Sequence, residues 1–235
     1  PKYVGDPINA VKIFNEKEAD ELFVLDIDAT SKNLEPDYQM VKNLAAECRM
    51  PLCYGGGVTN VHQFQKIISL GVEKVAISAA AFKDPSLITQ ASDIVGSQSV
   101  VVVIDVKKKS FTGKYEAYTH NGTKPTNLEV VELAKKFESL GAGEIVINSI
   151  DHDGVMEGYD LKLVEQVHNA VSTPITVIGG AGSHENIREL VSLFGTIGAS
   201  AGSLFVFKGK YRAVLINYPN QIEKMKLLSN KEGTF

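Results

Sequence analysis

The chain has 235 residues, 44% of them hydrophobic and 22% charged, with a net charge of −4, which is enough apolar sequence to bury the core of one α/β domain. Its mild acidity offers no basic field to a nucleic acid, no apolar run approaches the roughly 18 residues of a membrane span, and no charged-then-apolar leader is read at its start. Two cysteines, Cys48 and Cys53, are too few for a disulfide framework; Cys53 reads as a small core residue, and a reducing cytoplasm is the expected compartment.

Gly5-Asp6-Pro7 signals a helix start, and Ile8, Val11 and Phe14 follow at helical spacing. A strand is expected at 22–27, then a loop, a helix at 38–48 and a short strand at 51–54 that ends on Gly55-Gly56-Gly57. Asn60 caps the next helix, Gly71 ends it, and a strand at 74–78 precedes a helix at 85–94. The β-branched run 99–104 reads as a strand covered on both faces. Residues 107–124 break the rhythm: polar and aromatic residues alternate around Thr112-Gly113 and Asn121-Gly122, as in an inserted hairpin. Helix 128–140, strand 144–150, helix 161–170 and strand 174–178 come next, then a helix capped by Ser183, a strand at 196–199 and a tail helix at 218–228.

Two stretches of this pattern repeat. DELFVLDIDA (20–29) and GEIVINSIDHD (143–153) each run from an acid, Glu21 or Glu144, through an apolar strand to carboxylates. In both copies a Pro-led strand with a Gly-rich end begins 30 residues after that acid, PLCYGGG in one and PITVIGGAG in the other. VAISAAAF and IGASAGSLF form a third pair. Matched segments in one order imply two similar halves, roughly 1–98 and 99–235, of a single domain spanning 1–235. Seven strands are read, where two equal halves need four each. The expected fold is therefore a (β/α)8 TIM barrel built from two half-barrels, with its first strand apparently missing from this chain; an open doubly wound sheet is the alternative.

In a barrel, chemistry sits at the C-terminal ends of the strands. There the sequence places Asp26, Asp28, Gly57, Ser78, Asp105, Asp151, Asp153, Gly180, Gly182, Gly202 and Ser203. Glycine-rich strand ends in both halves suit phosphate, one per half, against the plainer reading that they make tight turns. Asp105, alone at the end of a buried strand, is the candidate general acid or base. His62, His168 and His184 lie in helix patterns and read as surface residues; His152 lies between two aspartates. No His or Cys spacing suggests a metal site, and no cofactor is expected. At the opposite mouth Glu21, Lys74 and Glu144 begin strands, where they serve either as stabilising caps or as an ionic gate to the interior.

The segments GDPINAVKIFNEKEADELFVLDI, YGGGV, KVAISAAAFKDPSLI, GSQSVVVVIDVK, GAGEIVINSIDHDGVMEGYD and IGGAGS resemble the HisF family, the cyclase subunits of imidazole glycerol phosphate synthase. The resemblance implies a (β/α)8 barrel that takes ammonia from a HisH-like glutaminase subunit docked at its N-terminal face. Ammonia would cross the barrel and attack a bisphosphorylated formimino substrate, giving imidazole glycerol phosphate for histidine biosynthesis. It also implies that Asp105 is one of two catalytic aspartates, the other lying on the unseen first strand. Asp153, Gly154, Gly180, Gly202 and Ser203 match phosphate-contacting positions, and Glu21, Lys74 and Glu144 match three of four gate residues. Two sites depart from the family pattern: Ser78-Ala79 stands where Asn and a small polar residue are usual, and Ile178 replaces a serine before GGAG. The opening segment and LDIDAT are closer to a HisF-like paralogue that works with a glutaminase and a sugar amidotransferase in lipopolysaccharide and surface-polysaccharide biosynthesis, where the barrel conducts ammonia without cyclase activity. A sugar-phosphate isomerase of similar fold is a third reading, and it predicts two phosphate sites but no gate.

Overall fold

A computed structural model describes residues 3–110 and 112–228. Helix α1 (Pro7–Glu16) starts where Asp6 accepts the Asn9 N–H and Pro7 fills the first turn. Then come β1 (Leu22–Leu25), α2 (Ile27–Ser31), α3 (Tyr38–Glu47), β2 (Leu52–Gly55), α4 (Val61–Ser69), β3 (Lys74–Ile77), α5 (Ala79–Lys83) and α6 (Ser86–Val95). The second half holds β4 (Val100–Lys108), β5 (Tyr115–Thr119), β6 (Lys124–Glu129), α7 (Val130–Ser139), β7 (Glu144–Ser149), α8 (Leu161–His168), β8 (Ile175–Ile178), α9 (His184–Phe194) and β9 (Gly198–Ala199). The chain then forms α10 (Ser203–Val206), β10 (Phe207–Lys208), β11 (Ala213–Val214) and α11 (Gln221–Leu228). No helix among the described residues is long and apolar enough to cross a membrane.

Seven parallel strands pair in the order β1-β2-β3-β4-β7-β8-β9 among the described residues. The order follows the chain with no reversal, so the sheet is singly wound and TIM-barrel-like, and the doubly wound alternative is set aside. β1 and β9 are the ends of the path; the expected opening strand would precede Pro1 and lies outside the described residues. Register sets the two faces of the sheet. Phe23, Cys53 and Lys74 are aligned, as are Gly55, Ala76, Val101 and Glu144, and then Asp105, Asn148 and Ile178. Strand alternation sends these residues inward and their neighbours outward. The outward set, including Val75, Val102, Ile104, Ile145 and Ile147, packs with Phe64, Ile88, Phe137, Val164 and Leu190 of the helices into the larger core. The inward set makes a separate small cluster of Cys53, Ala76, Val101, Val103 and Val146, flanked by Phe23 and Ile178.

Several elements differ from the sequence expectation for local reasons. β1 stops at Leu25 because Asp26 accepts the N–H groups of Asp28 and Ala29 and starts α2 in what read as strand and loop. α5 is a further short helix that was not expected. β4 runs on to Lys108 because, past the barrel rim, it gains an antiparallel partner in β5. The insertion is a meander of β4, β5 and β6 rather than one hairpin, so Asn121-Gly122 forms its second turn. Phe111, inside the expected hairpin, lies outside the described residues.

Candidate active site

A cleft of about 320 Å³ opens at the C-terminal ends of β1 to β4, β7 and β8. Asp105 stands within it, with Gly57, Ser78, Asn148 and Asp153, and the β5–β6 turn leans over it with His120, Asn121 and Gly122. Burial pushes the Asp105 carboxyl above its usual range; the Asn148 hydrogen bond offsets part of this and the Asp153 charge adds to it. Asn148 Nδ2 donates to Asp105 Oδ1 at 2.8 Å. The Ser78 hydroxyl and the Asn148 carbonyl oxygen are buried there without a hydrogen-bond partner. The site thus offers one shielded carboxyl that can exchange a proton, with two buried polar atoms beside it that lack a protein partner. The other strand-end acids have structural work: Asp26 caps α2, Asp28 pairs with Lys32 at 2.7 Å, and Asp151 accepts the Lys108 N–H at 2.9 Å. His152 Nδ1 lies 2.8 Å from Ser149 Oγ.

The expected second-half phosphate residues lie outside this cleft, Asp153 excepted. They divide into two kinds. Gly180 has φ +116°, and a Cβ there would fall on the Gly158 carbonyl; one at Gly182 would fall on that of Met156. These two glycines let the β8–α9 turn pack directly against the loop after β7. Gly154 and Gly202 face open space. Arg212, on the turn between β10 and β11, spans the gap, donating to the Gly154 carbonyl at 3.4 Å and to Ser203 Oγ at 3.1 Å.

At the other end of the inner face, Lys74 Nζ lies 2.9 Å from Glu21 Oε1 and 2.8 Å from Glu144 Oε2. Burial raises the Glu21 carboxyl, against the pull of Lys74 and with help from Glu144. Burial lowers the Lys74 ammonium, but its two carboxylate partners outweigh it and the net shift is upward. Between this ionic cluster and Asp105 the inward side chains are those of the small apolar cluster. Cys53 within it is fully buried, and its thiol is pushed well up by burial. Among the described residues no group of three or more His, Cys, Asp or Glu is placed to hold a metal ion.

A family model described as "Histidine biosynthesis protein" matches residues 1–212. A Vibrio vulnificus protein described as "Putative imidazole glycerol phosphate synthase subunit hisF3" is 57% identical, over 97% of this chain and 87% of its own length. A Pseudomonas aeruginosa protein, with the same wording for hisF2, is 51% identical over 94% of this chain and 87% of its own. The imidazole glycerol phosphate synthase subunit HisF of Clostridium botulinum is 38% identical, over 88% of this chain and 82% of its own. The chain belongs to the HisF family. For a HisF-family barrel, the arrangement separates an ionic end from a carboxylate end by an apolar interior.

Three residues at these sites were absent from the sequence expectation. Asn148 follows Glu144 by four residues on the inner face of β7, so strand parity alone marks it. His120 belongs to a turn whose inclination toward the cleft depends on the meander. Arg212 carried no signal, because it reaches Ser203 only through the fold-back of β10 on β11.

Proposed function

We propose that this chain is an ammonia-using synthase subunit of the HisF type, and that Asp105 carries its cyclase chemistry. One observation carries the reading: a single inner face runs from the Lys74 cluster through Cys53, Ala76, Val101, Val103 and Val146 to Asp105. Ammonia is small and neutral, so apolar walls admit it while an ionised solute would lose its hydration there. Lys74, Glu21 and Glu144 form the gate at the N-terminal mouth, where a HisH-like glutaminase would dock and release ammonia. The second substrate is a phosphorylated small molecule, bisphosphorylated and carrying a formimino group. Ser78, Gly57 and Asp153 border its reacting end, while Gly154, Gly202 and Ser203 offer backbone and hydroxyl groups to the second-half phosphate. Gly180 and Gly182 hold the loops that frame that phosphate. Asp105, its carboxyl raised by burial, takes a proton as the attacking nitrogen loses one and gives it to the nitrogen of the aminoimidazole carboxamide ribotide that leaves as the imidazole ring closes.

The test supplies full-length protein with ammonium and the bisphosphorylated formimino substrate and follows substrate absorbance. Turnover that disappears in D105N supports the cyclase. A second reading is favoured by Arg212, which spans Gly154 and Ser203, and by the separation of those residues from the Asp105 cleft. In it the barrel conducts ammonia from a glutaminase to a sugar amidotransferase of lipopolysaccharide biosynthesis. A folded protein that stimulates its glutaminase yet turns over no substrate would select that role.

A further inference from the structure

The amide of Asn148 is held in one orientation. Its Nδ2 donates to Asp105 Oδ1 at 2.8 Å. An ionised carboxylate has acceptors only, so turning the amide round would set oxygen against oxygen. Asn148 Oδ1 is therefore directed elsewhere; it is buried and accepts no hydrogen bond, although Asn148 lines the cleft. Leaving a buried acceptor unpaired costs about 1–3 kcal/mol, so whatever completes it must bring a donor.

Position narrows what that donor is. Glu144, Val146 and Asn148 share the inner face of β7, and register sets Val101, Val103 and Asp105 beside them on β4. At roughly 3.3 Å per residue, Asn148 stands about 13 Å above Glu144 along the strand. The inward residues between on these two strands are Val146 and Val103. The Asn148–Asp105 pair is thus the first hydrogen-bonding group that a small solute meets on β4 and β7 after leaving the ionic end.

We propose that Asn148 Oδ1 captures the nucleophilic nitrogen, as ammonia, where it leaves the apolar interior, and holds it beside Asp105. The ligand class is a compact N–H donor. One N–H satisfies the orphan oxygen, and the nitrogen is kept within reach of both Asp105 and a substrate in the cleft. Asn148 is a binding and positioning residue for the nitrogen, and this rests on the reading that ammonia travels the interior.

The deciding measurement is a titration of full-length, 15N-labelled wild-type protein with ammonium chloride, against potassium chloride at matched ionic strength. It follows the Asn148 side-chain amide resonance, assigned by its disappearance in N148T. A saturable shift with ammonium and none with potassium, which is similar in size but carries no N–H, is the expected result. No shift, or the same shift with both salts, overturns the proposal. Kinetics add an independent arm. N148A should raise the ammonium KM about tenfold, the effect of one lost hydrogen bond, and leave the KM for the phosphorylated substrate within twofold. N148T, whose hydroxyl can donate to Asp105 and still accept, should restore the ammonium KM to within about threefold. A fall in kcat with the ammonium KM unchanged would mean that Asn148 only orients Asp105, and would refute nitrogen capture. Absence of turnover in the wild type would sink the cyclase reading while the titration still decides the role of Asn148.

Discussion

Replacing Lys74 with methionine keeps most of the side-chain stem and removes the cation that pairs with Glu21 and Glu144. The three side chains are 25%, 28% and 8% exposed for Lys74, Glu21 and Glu144, so the cluster is mostly but not wholly withdrawn from water. Breaking a fully buried pair costs about 3–5 kcal/mol; the remaining exposure brings the expected loss to about 2–3 kcal/mol at pH 8. For a domain of this size that lowers Tm by roughly 6–9 °C. The loss should depend on pH, with a definite sign. The folded-state pKa of Glu21 is already above its ordinary 4.5, because burial outweighs Lys74. Without Lys74 it rises further. A carboxyl whose pKa is raised on folding carries no penalty below its unfolded value and an increasing one as pH climbs through the folded value. The difference in Tm between wild type and K74M should therefore be largest at pH 8 and shrink toward pH 5. Thermal melts by circular dichroism across that range would measure it. A loss that is the same at both ends, or below about 1 kcal/mol at pH 8, would show that the cluster is effectively solvated and refute the argument.

D105N should lower turnover by at least about a hundredfold while raising Tm at pH 7, because the buried charge that raises the Asp105 carboxyl is a cost of folding. That gain should shrink as pH falls and vanish below the ordinary value of 3.8, where the wild-type carboxyl is neutral in both states. Paired melts and assays check both halves, and an unchanged or lower Tm at pH 7 would contradict the assignment of burial as the cause. G180A and G202A should part company in urea titrations. The first combines φ +116° with a Cβ placed on the Gly158 carbonyl and should cost about 1–3 kcal/mol; the second meets nothing within 4 Å at φ −98° and should cost under about 1 kcal/mol.

The skeleton was legible because the signals were local. Asp6-Pro7, Asn60 and Ser183 each start a helix as expected, the last with a full capping box. The 30-residue spacing from Glu21 to Pro51 recurs from Glu144 to Pro174. Position along the strands also placed Glu21, Lys74 and Glu144 at one mouth, where strands begin, and Asp105 at the other, where a strand ends. What escaped the sequence depends on contacts between distant segments. α2 exists because the Asp26 side chain turns back on two N–H groups, converting a strand end into a helix cap. Gly180 and Gly182 read as a phosphate cradle, yet the space beside each is taken by a loop more than twenty residues earlier. The Asn148–Asp105 bond joins residues 43 apart, and it forms because β4 and β7 are neighbours, with the β5–β6 meander excluded from between them.

The small residues of the inner face give the sharpest test of whether the interior is a route or only a core. A packed core would be served as well by larger side chains, but Gly55, Ala76 and Cys53 keep the inner layer next to Lys74 narrow in volume. A leucine at Ala76 adds three carbons at a position 3% exposed, directly above the ionic end. Overpacking of this kind costs typically 1–3 kcal/mol, which a domain of this size can survive. If ammonia passes there, A76L should cut glutamine-driven turnover by more than about tenfold. Turnover driven by added ammonium should stay within twofold, since ammonium can reach Asp105 from the open cleft. Measuring both rates on the same A76L complex with its glutaminase separates transport from chemistry. Equal loss in the two assays would mean that the substitution distorts the cleft. Equal retention would mean that ammonia reaches Asp105 without crossing this layer, and the alignment of apolar residues between the two charged ends would then be packing alone.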